Sequence, residues 1–444
     1  MQSLICLLAV IFLFCFCFLS GENSSGKKGI ILDNPGNEQV VSKNKNEEKT
    51  EALKVKDNVK KEDNKKNTEI KKSKKVNYPS SFKKGKITLF LNNPTLYNLP
   101  SKVSRADACG ILTKEMKRAE KSIEFALYGI DNQDEIINAL KNASLRGVLV
   151  KGVSDADEFN VPTYPDTEKL SDYAKITYDN SKFIMHDKFF IIDDKIVMTG
   201  SMNISKTGCG GYNSNSVLLI EDENVAKAYK KEFNQMHSGK FKTEKENFSL
   251  PLFDIDEDVK LGVYFSPNGG VFEKALLNEI KNAKNKIRVS IFVLTHNQMI
   301  DELITAHKRG VEIKVLADAL GAGRFREKII KLRNEGIEVK IENWGGKNHE
   351  KTISIDDNVL FMGSANFSYS GFSKNDENVV CIKNKEFARF YNGFFDTLYD
   401  SVDNMYLKTF PKAEGLESGN SCYDGIDNDF DGKIDMEDEG CKIK

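Results

Sequence analysis

Hydrophobic positions fall into three regimes along the chain. The first twenty residues, MQSLICLLAVIFLFCFCFLS, are almost wholly apolar and then break into GENSSGKKG. From Ser42 to Lys75 hardly anything is apolar, and Lys, Glu, Asp and Asn follow one another without period. Such a stretch has too little surface to bury to offset the entropy of ordering it. From Lys86 onward the pattern becomes periodic. Helical spacing predicts helices over Leu112–Lys121 and Ala275–Asn285, and apolar runs predict strands over Ile123–Tyr128 and Ile287–Leu294. Each is followed by a second helix ending in Arg-Gly-Val and another apolar strand, Val148–Val153 or Val311–Ala317. Strands alternating with helices predict an α/β fold with helices layered on sheets.

The periodic part repeats itself. Arg146-Gly147-Val148 recurs as Arg309-Gly310-Val311, Asp155 as Asp318, and Gly200-Ser201 as Gly363-Ser364, always 163 residues later. A constant offset means duplication, so two homologous domains related by a pseudo-twofold axis are expected. The resulting division is a signal peptide or N-terminal anchor over 1–20, a Lys/Glu-rich disordered linker over 21–85, domains over 86–245 and 258–410, and an Asp-rich tail over 420–444.

Composition changes this picture in two places. With 65 Lys+Arg against 66 Asp+Glu, the chain offers no overall charge that would draw nucleic acid or an anionic membrane, so anion binding must be local. The apolar run Leu4–Leu19 falls short of the roughly 20 residues of a membrane span, and export to a secreted or cell-surface location is expected. No Lys or Arg precedes the run, and Cys15 and Cys17 each follow a Phe rather than the small residue usual before a lipid-modified cysteine. Cys422 and Cys441 bracket one compact segment and are expected to form a disulfide in an oxidising compartment. The states of Cys109, Cys209 and Cys381 are left open.

Chemistry concentrates in two segments. MHDKFFIIDDKIVMTGSMN places His186, Lys188, Asp193, Gly200, Ser201 and Asn203; NHEKTISIDDNVLFMGSAN places His349, Lys351, Asp356, Gly363, Ser364 and Asn366 at the same offset. One His-x-Lys-x4-Asp match is weak evidence, but two at equivalent places in a duplicated fold, each followed at the same spacing by Gly-Ser-x-Asn, are not coincidence. Residues i and i+2 of a strand share a face, so each His projects with its Lys, while Asp187 and Glu350 face away. Asp193-Asp194 and Asp356-Asp357 are turn residues, which makes each motif a hairpin that returns Gly-Ser-x-Asn to the His and Lys. Glycine there would allow close backbone approach to a ligand, and an Asn amide donates to an anionic oxygen.

These paired motifs resemble those of the phospholipase D superfamily over residues 86 to 405. The resemblance implies a phosphodiesterase in which one histidine forms a phosphohistidine while the other protonates the leaving alcohol and then activates water, without a metal. Lys188, Lys351, Asn203 and Asn366, with Ser201 and Ser364, would bind the phosphate. His186 is the implied nucleophile. Asp193 and Asp356 belong to the motif's catalytic set, although a hairpin Asp more commonly bonds its own turn. Glu377, in KNDENVV, stands where relatives carry a carboxylate that orients a histidine. Its counterpart in the first copy is Asn215, so the two histidines should be unequal; which of them Glu377 touches is not readable from sequence. His237, His296 and His307 lack motif partners and are read as structural.

In the tail, Asp427, Asp429, Asp431, Lys433, Asp435 and Asp438 fall on ligand positions of a calcium loop, and Ca2+ is expected there. Hydrolysis of phospholipid headgroups is the leading substrate expectation. An exported metal-independent endonuclease is the second, and an inactive surface-binding protein the third. One chain holding both half-sites predicts a monomer acting on phospholipid or nucleic acid, with membrane or cell-surface association.

Overall fold

The computed structural model describes residues 77–156, 164–179, 182–342, 344–402, 422–423 and 433–442. The leader at 1–20, most of the linker, and Asp427, Asp429 and Asp431 of the tail lie outside the described residues.

The first copy contributes β1 (Ser81–Lys84), β2 (Ile87–Asn92), β3 (Ser122–Leu127), β4 (Leu149–Ser154), β5 (Lys175–Tyr178), β6 (Lys188–Ile192), β7 (Ile196–Gly200) and β8 (Asn215–Glu221). The second contributes β9 (Phe253–Asp256), β10 (Val259–Ser266), β11 (Lys286–Ile291), β12 (Glu312–Ala317), β13 (Glu338–Ile341), β14 (Lys351–Ile355), β15 (Val359–Gly363) and β16 (Glu377–Lys383). One sheet runs β1-β2-β8-β7-β6-β3-β4-β5 and the other β9-β10-β16-β15-β14-β11-β12-β13, so the two orders are the same. The repeat read from sequence is therefore a repeat of topology.

A core containing Phe189, Val197 and Leu218 from one copy and Val263, Phe361 and Val380 from the other joins the two sheets. A separate core under the helices Asp107–Arg118 and Asp134–Leu145 covers the remaining face of the first sheet. Among the described residues no helix is long and apolar enough to cross a membrane.

Several boundaries move, among them the start of the second domain, since β9 (Phe253–Asp256) precedes residue 258, and three of the shifts show their cause. The helix expected to reach Lys121 ends at Arg118, because the backbone N–H groups of Glu120, Lys121 and Ser122 donate instead to the Asp193 carboxylate. Asp356 takes the N–H groups of Lys284, Asn285 and Lys286 in the same way, and the helix of the second copy ends at Asn282. The linker placed over 21–85 gives way to structure before its end, since β1 lies inside it. Phe82 packs on Phe387 and Phe390, and Lys84 pairs with Glu386 and Asp258, so the first strand clasps the second copy.

Cys422 and Cys441 are joined, and in the described part of the tail the Asp438 carboxylate accepts from the Gly440 N–H. Cys109 and Cys209, unassigned from sequence, form a second, buried disulfide across 100 residues, and Cys381 is a buried free thiol. The positions 163 residues on hold Phe272 and Phe372, whose rings stack at 5.5 Å. One copy thus uses a covalent bond where the other uses packing to fasten the loop that carries its motif asparagine. Cys109→Ala with Cys209→Ala is expected to cost about 2–5 kcal/mol by the loop it releases, read as a lower denaturant midpoint; an unchanged midpoint would mean the loop is held without the bond.

Candidate active site

Sheet register gathers the motifs at one edge. Leu127 pairs with Lys188, Asn92 with Asn215, Ile291 with Lys351 and Ser266 with Glu377, so the strand ends bearing both motifs meet. The chain entering each histidine bridges to the opposite copy. The His186 N–H donates to the Asp376 carbonyl at 2.8 Å and the Asp376 N–H to Ile184 at 3.1 Å; the His349 N–H donates to Ser214 at 3.0 Å and the Ser214 N–H to Lys347 at 2.9 Å. Asp376 and Ser214 each immediately precede an orienting residue, so this exchange delivers that residue to the other copy's histidine.

The result is crosswise. His186 Nδ1 lies 2.8 and 3.0 Å from the two Glu377 oxygens, whereas His349 Nδ1 faces the Asn215 amide oxygen at 3.2 Å. Lys188 Nζ donates to the His186 carbonyl at 2.5 Å and Lys351 Nζ to that of His349 at 3.0 Å. Tyr128 lies edge-on to His186 and under Lys188, and Phe292 takes the same place beside His349 and Lys351. All four motif side chains are buried.

Electrostatics favour an anion at this centre. Burial, then Lys188 and Lys351, hold His186 well below its usual pKa. Burial, Lys351, Lys188 and His186 do the same to His349. Burial and Lys188 also depress Lys351, while burial pushes Glu377 up to about 8. Cationic groups packed together without water destabilise one another until a negative group enters among them. The side-chain Oδ1 atoms of Asn203 and Asn366 are buried without a hydrogen-bond partner, while the Asn203 side-chain amide N–H donates to the Tyr164 hydroxyl at 2.8 Å.

A family model described as "Cardiolipin synthase, PLD-like domain" matches residues 112–237 and again 276–399, together more than half of the chain. The chain belongs to the phospholipase D superfamily. Its members are phosphodiesterases, and at that level so is this protein. A protein named phospholipase D from Rickettsia conorii is 30% identical over 132 residues, covering 30% of this chain and 66% of the relative. Mitochondrial cardiolipin hydrolase of Xenopus laevis is 24% identical over 139 residues, covering 31% and 66%. The chain thus spans about two thirds of the length of these relatives. The solved phosphatidylserine synthase of Haemophilus influenzae aligns with a TM-score of 0.52 at 11% identity, over 72% of this chain and 89% of that one, a likeness of fold alone.

Within this phospholipase D frame several assignments change. Asp193 and Asp356 do not join the catalytic groups. They sit in the hairpin turns at the far ends of β6 and β14 with left-handed backbone (φ 53° and 51°), each capping three backbone N–H groups. Those bonds hold Asp193 below the usual carboxylate range against the opposing effect of its burial. Ser201 and Ser364, assigned to the phosphate, instead hold the orienting groups. Ser201 donates to the Asn215 oxygen at 3.2 Å and accepts from the Ser216 N–H, and Ser364 accepts from the Asn378 N–H and bonds Glu377. The motif glycines serve the sheet: a Cβ on Gly200 or Gly363 would stand 2.2 Å from the carbonyl oxygen of Ser216 or Asn378 on the neighbouring strand.

Sequence reasoning missed the second crosswise layer. Asp187 and Glu350 do face away from the motif side, but into the partner copy rather than solvent. Asp187 accepts from the Asn378 amide at 2.7 Å, and Glu350 from Ser216 and Thr352. Burial pushes each of them up to about 7. Their charge type resembles a solvated strand position, and only the mating of the copies reveals the partner.

Proposed function

We propose that the protein is an exported or cell-surface phospholipase D-type enzyme that hydrolyses phospholipid headgroup esters through a phosphohistidine, without a metal. The observation that carries the reaction is the unequal crosswise pairing of two buried imidazoles between two ammonium groups. His186, backed by a carboxylate, is the nucleophile: its Nε2 attacks phosphorus, the bond to the headgroup oxygen breaks, and Glu377 offsets the positive charge that the phosphorylated ring acquires. His349, backed only by a neutral amide, gives its Nε2 proton to the departing alcohol. It then removes a proton from water, whose oxygen displaces His186 from phosphorus and leaves phosphatidic acid. Lys188, Lys351 and the Asn203 and Asn366 side chains surround the phosphoryl oxygens. The phospholipase and cardiolipin hydrolase names of the relatives support a lipid substrate.

An endonuclease reading is favoured by one feature, the lysines paired with rings near the rim: Lys374 stands over Phe183 and Tyr369, and Lys347 over Phe292. Rings and cations together suit single-stranded nucleic acid. The deciding assay is choline release from phosphatidylcholine vesicles in chelator, run beside plasmid nicking, with His186→Ala and His349→Ala. Headgroup release lost in both variants supports the lipid reading; nicking alone, lost the same way, replaces it with the nuclease.

A pH signature follows. The free site holds His349 below 6.5, and a bound phosphodiester anion raises it again. The alkaline limb of kcat/KM should therefore lie below 6.5, and that of kcat at higher pH, since the acid must be protonated. Coincident limbs in the two profiles would show that substrate charge does not supply the proton's stability.

A further inference from the structure

Among the described connections, the one after the second strand of each sheet differs markedly in length between the two copies. In the second copy five residues, 267–271, separate β10 from the helical turn that leads into the helix of that copy; in the first, fourteen residues, 93–106, with a short helical turn at Pro94–Leu96, separate β2 from the helix Asp107–Arg118. Because Asn92 pairs with Asn215, this longer loop leaves the sheet at the active-site edge. Its tip is apolar and uncovered: Leu96 is 41% exposed, Leu99 53% and Val103 61%. Lys102 and Arg105 are exposed between and beside them, and no acidic residue occurs from 93 to 106 or from 200 to 214.

The loop is fixed at its base rather than loose. The Ser101 N–H donates to the Lys206 carbonyl, and the Arg105 and Ala106 N–H groups to that of Cys209, which the disulfide ties to Cys109. The Arg105 guanidinium lies over the Tyr97 ring and donates to the Leu99 carbonyl. The same stretch, 200–214, carries Asn203, so the apolar tip and the site share one support.

We propose that loop 93–106 docks the enzyme on a phospholipid bilayer, with Leu96, Leu99 and Val103 entering the interface and Lys102 and Arg105 meeting anionic headgroups. Projecting apolar side chains flanked by cations match the chemistry of a bilayer surface, apolar beneath and anionic at the headgroups. The docking rests on the phospholipid reading above and gives it a geometry, because a loop at the motif edge brings the site to a headgroup still embedded in the membrane.

A local probe separates this loop from the apolar leader and the lysine-rich tether, either of which could hold the chain on vesicles. Trp344 is the chain's one tryptophan and is buried. Leu99→Trp, in the full chain with vesicles of phosphatidylcholine and phosphatidylglycerol, is expected to shift its emission to the blue and to be quenched by brominated lipid. Leu145→Trp, exposed at the opposite edge of the first sheet, is expected to do neither. Equal behaviour of the two probes overturns the proposal. Leu96→Ser with Leu99→Ser and Val103→Ser should lower headgroup release from vesicles on the order of 100-fold, because three apolar side chains no longer leave water for the lipid. Release from a monomeric short-chain phosphatidylcholine should stay within about twofold, since that substrate offers no surface for the loop to enter. Unchanged release from vesicles, or equal losses on both substrates, also overturns it. Quenching of the Leu99→Trp probe in a protein that hydrolyses neither lipid would keep the docking and sink the substrate reading.

Discussion

Mixed with a phosphodiester whose leaving group is p-nitrophenolate, the His349→Ala protein is expected to release one equivalent in a burst, retain a phosphoryl group on His186, and then stall. Such a leaving group needs no proton, so the first step survives the loss of the acid. The second step does not, because the group that should activate water is gone, and steady turnover should fall by about 10²–10⁴-fold. His186→Ala should show neither burst nor labelled protein. The asymmetry rests on the crosswise bonds: in the proposed mechanism Glu377 serves the ring that would become positively charged when phosphorylated, and Asn215 would leave the other ring the more willing proton donor. A burst in His186→Ala and none in His349→Ala would exchange the two roles while leaving the chemistry intact.

The second large effect lies behind Glu377. Lys245 Nζ reaches Asp376 at 2.7 Å and also pairs with Glu232, and Lys242 Nζ bridges Asp376 at 2.8 Å and Asp179 at 2.6 Å. Both lysines are buried, in the connection between the copies, and burial lowers the pKa of Lys245 less than Glu232, Asp376 and Asp187 raise it. Asp376 in turn supplies the backbone partner of His186. Lys245→Met strands buried carboxylates and should cost about 3–5 kcal/mol of stability, measured by denaturant unfolding.

Catalysis should carry a separate mark of the same substitution. His186 is faced by Glu377, Lys188, Lys351 and His349, with Asp376 and Asp187 behind. Removing a cation makes its imidazolium easier to form, and attack requires the neutral ring, so the acid limb of kcat should move to higher pH. Lys245→Arg should restore the limb. A stability loss with an unmoved limb would confine Lys245 to holding the fold.

The duplication, the α/β class, the hairpin form of each motif and the pairing of His with Lys are all legible in the chain, because periodicity, turn chemistry and a fixed offset are local properties. The inequality of the orienting groups is legible too, since Glu377 and Asn215 are different residues at matching places. That each orienting group serves the other copy emerges only on folding. His186 and Glu377 stand 191 residues apart, and their contact follows from backbone exchange at Asp376 and Ser214, which no pattern within either copy encodes. The same holds for Ser201 and Ser364, whose hydroxyls go to the orienting residues, and for Asp193 and Asp356, whose carboxylates are claimed by chain about 70 residues upstream. The state of Cys109 and Cys209 is open in the sequence because the repeat offers no second pair to compare: two stacked rings stand in the other copy where this one has a covalent bond. The order of residues says which groups are available; where polar groups are buried, their partners are chosen by whichever neighbours the packing of the two copies brings within hydrogen-bond reach.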